Sequence, residues 1–171
     1  MRHSLSRLLL LGACSAPSSA ADTHSLARYQ RLLAVAGPDS LMSVLSDSLL
    51  VWTSVTDSVA SGDSGWLALG EAIAPVTDAG GTLELLSAFT SALSRNPTAV
   101  LRIVDPARPS PRRSPLSLSS VCHAPDIDVT DSEVAAFRDR TLRALNTVSD
   151  TTLTSVRDAC RAAIVEDSAA G

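Results

Sequence analysis

One run of apolar residues constrains the fold of this chain more than any other feature. Leu41, Leu45, Leu49, Trp52, Val55 and Val59 recur at steps of three and four, and Gly62 stops them. Such spacing places the side chains on one face of a helix, whereas a half-buried strand would alternate at every second residue. The run predicts a helix of about five turns at the centre of the core.

The same period continues on both sides. Leu26, Tyr29, Leu33 and Ala36 form one face, ended by Gly37-Pro38, after which Asp39 or Ser40 can cap the central helix. Trp66, Leu69 and Ile73 predict a shorter helix ending near Pro75, and residues 78–81 read as a loop. Thr82 then caps a helix with Leu83, Leu86, Phe89 and Leu93 inward. Asn96-Pro97 is a preferred helix start, with Val100, Leu101 and Val104 buried behind it. Thr130 and Glu133 form a capping box ahead of Val134, Phe137, Thr141, Leu145 and Val148. A last helix after Ser149-Asp150 carries Leu153, Val156, Cys160 and Ala163 on one stripe. The expectation is an all-α fold of six or seven amphipathic helices, as an antiparallel bundle or a short solenoid-like stack.

Composition agrees. Apolar residues make up 45% and charged residues 19%, the balance of a globular chain. Aromatics are only 3%, so Leu, Val and Ala must fill the core, which suits close-packed helices. Residues 105–115 hold Pro106, Pro109, Pro111 and Pro115 among Arg108, Arg112 and Arg113; this stretch cannot be helical and reads as an exposed loop within a domain spanning 22–166. The tail, 167–171, is small and polar and is expected to fray.

Residues 1–21 have the build of a secretory signal peptide. Arg2 and Arg7 precede an apolar stretch, Pro17 breaks it, and Ser18 and Ala20 satisfy a small-x-small cleavage rule. Leu11-Gly12-Ala13-Cys14 resembles a bacterial lipobox, which implies lipidation at Cys14 as the competing exit. Either route removes or acylates Cys14. Cys122 and Cys160 are then an even pair in an oxidising compartment, which favours a disulfide. The chain is expected to be exported, periplasmic or secreted, touching a membrane only through the leader or a lipid on Cys14.

All 14 basic residues are arginine. Lysine chemistries such as a P-loop lysine, a Schiff base or a Ser-Lys dyad are therefore excluded. Two arginines leave with the leader, and the remaining twelve face eighteen acids for a net charge of −6. That balance argues against nucleic acid as a partner.

Gly62-Asp63-Ser64-Gly65 resembles the GDSG around the nucleophilic serine of trypsin-like proteases, but Trp66 stands where that family continues with Gly-Pro. Upstream, only His24 remains after leader removal. A helix stop followed by a cap accounts for the string. His123, Asp126, Asp128 and Asp131 form the densest polar cluster. An EF-hand beginning at Asp126 fails, because Asp131 replaces the required Gly and Phe137 the final Glu. An acidic turn ahead of a helix accounts for the cluster. Glu71 and Glu84 fall at positions that look solvated. Trp52 and Trp66 read as core anchors; facing one cleft, they would favour a small apolar ligand. No cofactor, metal ligand set or catalytic residue is assigned. The functional expectation is a non-catalytic module that binds another envelope or secreted protein, in an inhibitor-like or immunity-like role. The alternatives are a carrier for a small apolar molecule and a hydrolase.

Overall fold

The computed structural model describes residues 25–107, 114–123 and 130–166. The leader with Cys14, His24, Asp126, Asp128, the middle of the proline-arginine stretch and the tail lie outside the described residues. Among those described there are eight α-helices and no strand. In chain order they are α1 Leu26–Ser46, α2 Leu49–Ala60, α3 Ser64–Ile73, α4 Ala79–Leu93, α5 Pro97–Val104, α6 Leu118–Val121, α7 Asp131–Asn146 and α8 Thr154–Glu166. Short 3-10 turns, Ala74–Val76 and Thr151–Leu153, extend the end of α3 and lead into α8. The all-α expectation holds.

The stop expected at Gly37 is a kink inside α1. Gly37 takes φ 82° and ψ 174°, a conformation costly to any residue with a Cβ, and Pro38 restarts the helix behind it. The long central helix, by contrast, is two. At Ser48 the backbone is extended, with φ −145° and ψ 122°, and this separates α1 from α2. Just before the break, the Ser46 hydroxyl donates to the Met42 and Ser43 carbonyls at 2.9 and 3.2 Å, and short polar side chains that bond the local backbone weaken helix continuation. The break shifts the phase. Leu41, Leu45, Trp52, Val55 and Val59 are buried as expected, but Leu49 is 73% exposed.

A second correction concerns α4. It begins at Ala79, so residues 78–81 supply its cap and first turn instead of a loop. Asp78 is the cap, accepting from the Gly81 amide at 2.8 Å, while Thr82 pairs with the Thr77 hydroxyl at 2.7 Å. With that start, Leu85 enters the core in place of Leu83, which is 62% exposed.

The four N-terminal helices interlock, α2 packing chiefly on α4 and α1 on α3. Gly70 of α3 lets three helices approach closely. A Cβ there would lie 3.1 Å from Phe89 Cε2 of α4 and 3.2 Å from Val59 Cγ2 of α2. The core continues without interruption from Tyr29 to Ile164. α6 is a single turn that sequence periodicity cannot register. It seats Val121 in the core, where the buried Thr90 hydroxyl donates to the Val121 carbonyl at 3.1 Å.

The last helices bear out the reading of their ends. In the capping box, the Glu133 amide donates to Thr130 Oγ1 at 3.3 Å and the Thr130 amide to Glu133 at 2.8 Å. Within α7, Thr141 is fully buried and its hydroxyl has no hydrogen-bond partner among the described residues. An unsatisfied buried hydroxyl carries its desolvation cost without return. Thr141→Val is therefore expected to raise stability by about 1 kcal/mol in urea unfolding; a loss of stability would contradict this placement.

Asp150 caps the turn before α8 and ties it to α5. It accepts from Thr152 Oγ1 at 2.7 Å and the Thr152 amide at 3.0 Å, and pairs with Arg102 at 2.9 Å. The Thr152 hydroxyl, then Arg102, hold its carboxyl down from the usual 3.8 to about 2. A carboxylate with a depressed folded pKa stabilises above its unfolded value, and the contribution fades as pH falls through the folded one. The stability difference between wild type and Asp150→Asn should thus be full above about pH 4 and vanish towards pH 2 in thermal melts. A difference that persists unchanged at pH 2 would contradict this.

Candidate functional site

Of the residues singled out in the sequence, the structure brings together the two cysteines, and also Trp52 with Glu84. Cys122, just after α6, and Cys160 of α8 are buried, with Cα atoms 5.2 Å apart and sulfurs at 2.10 Å, a disulfide. His123 follows Cys122 directly and is half-buried. Asp131 is the exposed first residue of α7, where a carboxylate complements the helix N-terminus. Among the described residues, no group of three or more His, Cys, Asp or Glu is placed to hold a metal ion.

The GDSG string is engaged in architecture. Gly62, at φ 80°, ends α2. Asp63 Oδ1 accepts from the Gly65 and Trp66 amides at 2.9 and 3.1 Å, capping α3. Asn96 Nδ2 donates to the Gly62 carbonyl at 2.8 Å and reaches Ser64 Oγ at 3.4 Å, while its own Oδ1 caps α5 by accepting from the Ala99 amide. The string thus fixes where α2, α3 and α5 meet.

The two tryptophans engage different helices. Trp52 is buried against α4, where its indole N–H donates to Glu84; the glutamate expected to be merely solvated is an anchor. Trp66 is half-buried and meets Tyr29 of α1 edge to face, centroids 6.2 Å apart. Burial pushes the Tyr29 phenol above its usual range, with Arg28 opposing.

The concave surface lies along the outer side of α2. Between α2 and α3 runs an open groove of about 580 Å³, lined by Leu50, Ser54, Asp57, Ser58, Asp63 and Trp66 among others. A smaller groove of about 350 Å³ on the α4 side shares Thr53 and Asp57 with it and adds Thr56, Glu84 and Ser91. Leu49 and Leu50 stand at one end, 73% and 82% exposed. Sequence reasoning missed this face because it turned Leu49 inward. A signal was nevertheless present: Leu50, Thr53, Ser54, Asp57, Ser58 and Ser61 repeat at helical spacing beside the apolar stripe.

No protein-family model, no curated protein and no solved structure matches the chain. Fold and site define a class on their own: an all-α protein with a buried disulfide and an open, acidic, hydroxyl-lined groove along its second helix. Among the described residues no helix is long and apolar enough to cross a membrane.

Proposed function

We propose that this chain is an exported, non-catalytic helical module that works by binding another envelope or secreted protein. An inhibitor or immunity-type role is the concrete form. The observation that carries the reading is the adjacent pair Leu49 and Leu50, left in water beside the open groove on α2. Burying such side chains is worth about 1.5–3 kcal/mol each, and a partner surface would supply that burial. The chemistry-bearing string Gly62–Gly65 supports it from the other side, since its polar atoms cap and join helices. Export rests on the signal-like residues 1–21.

The test is affinity capture from the native cell envelope, with this protein as bait and mild crosslinking. One stoichiometric protein partner is expected. Clean capture without a protein partner, accompanied by an extractable apolar small molecule, would overturn the reading in favour of a carrier.

A further inference from the structure

Seven acids and no arginine, lysine or histidine lie in residues 32–94, a segment that supplies most of α1 and all of α2, α3 and α4. Arg31 and Arg95 bracket it, and Arg95 stands beside Gly62, at the end of the groove away from Leu50. The hydroxyls along α2 sharpen this polarity. Ser58 donates to the Ser54 carbonyl at 2.7 Å, Ser61 to Ser58 at 2.6 Å, and Thr56 to Thr53 at 3.0 Å. With their protons committed to the helix backbone, these groups offer outward lone pairs only. Asp57, and the Asp63 oxygen not engaged with α3, are acceptors as well. The wall is therefore rich in acceptors and negative charge, with Leu50 and Trp66 as its apolar contacts.

We infer that this groove docks an arginine- or lysine-rich segment of a protein partner, with apolar side chains on Leu50 and Trp66 and cationic ones over Asp57 and Asp63. The assignment rests on the binding function proposed above and names its partner chemistry. Charge complementarity selects the occupant. A guanidinium or ammonium brings positive charge and donors to Asp57 and Asp63, whereas an acidic segment would set like charges together.

Two defined probes test it: fluorescein-labelled synthetic peptides of about four helical turns, alike in leucine pattern, one carrying arginine and the other glutamate. Anisotropy with the purified protein should show the arginine peptide binding at least about ten-fold more tightly. Raising salt from about 50 to about 500 mM should weaken it about ten-fold, because exposed pairs are screened. Leu50→Ser and Asp57→Asn each alter an exposed side chain, so the fold is retained; each should cost about five-fold or more in affinity. Arg140→Gln on α7 should change nothing. Equal binding of the glutamate peptide, no binding of either, indifference to both groove variants, or a matching loss from Arg140→Gln would overturn the groove assignment. The binding function fails separately, if envelope capture yields no protein partner. A captured partner crosslinked away from α2 overturns the groove and leaves that function standing.

Discussion

Replacing Cys122 and Cys160 together by alanine should lower the stability of the fold by about 4 kcal/mol, the loop-entropy value for a crosslink closing about 39 residues. In a chain of this size that corresponds to roughly a 10 °C fall in melting temperature. The loss has a definite place. Cys122 follows the single turn of α6, which packs on both α4 and α8, and Cys160 sits at 0% exposure in the middle of α8. Without the bridge, α8 is held by the apolar contacts of Val156, Ala163 and Ile164, by the Arg157 guanidinium on the Val148 carbonyl at 3.2 Å, and by the Asp150–Arg102 link at its start. Hydrogen exchange should accordingly rise first in α6 and α8, while α2 and α4 stay protected. Thermal melts of the oxidised protein and the double variant check the magnitude. A shift of less than a degree or two, or uniform loss of protection, would contradict the clamp.

Phe89→Ala should cost about 3–5 kcal/mol, the range for removing a buried aromatic ring. Phe89 is fully buried, and its ring lies where Gly70 brings α3 against α4. The same contact sets the sign for Gly70→Ala. Helix propensity alone would favour alanine by about 1 kcal/mol. The new Cβ would however stand 3.1 Å from the Phe89 ring and 3.2 Å from Val59, tighter than ordinary contact on two sides. Overpacking of this kind costs about 1–3 kcal/mol, so a net loss is expected. In a Phe89→Leu background the obstruction shrinks, and Gly70→Ala should become neutral or stabilising. The double-mutant cycle would then show coupling of about 1 kcal/mol. Additive effects would mean that ring and glycine do not meet.

Much of this fold was legible in the sequence, for local reasons. Caps declare themselves when side chain and spacing are both right, as at Asn96-Pro97, Thr130 to Glu133 and Asp63, and each has the bonds its residues foretell. Period alone was weaker. It joined Leu45 to Leu49 across a break made by one extended serine, because Leu45 and Trp52, seven residues apart, keep an apparent helical period on either side of it, while the break turns Leu49 outward. It also dismissed Gly80-Gly81, which helix propensity disfavours, though Asp78 holds their turn from outside. The groove was hidden for a related reason. Its lining comes from α2, the turn after it and α3, and only the α2 part has a pattern along the chain. The disulfide could be read because, with Cys14 assigned to the leader, the two remaining cysteines allow one pairing. His123 with Asp126, Asp128 and Asp131 stayed unread beyond its ends, since two of the four lie outside the described residues.

The central claim is that the outer face of α2 is where this protein meets another. A photoreactive residue in place of Ser54, mid-groove, tests it most directly, with the same residue in place of Arg140 on α7 as reference. On illumination in the cells that make the protein, Ser54 should yield one discrete protein adduct, at least about ten-fold stronger than any from the reference site. Equal labelling from both positions, or an adduct from Arg140 alone, would contradict the account.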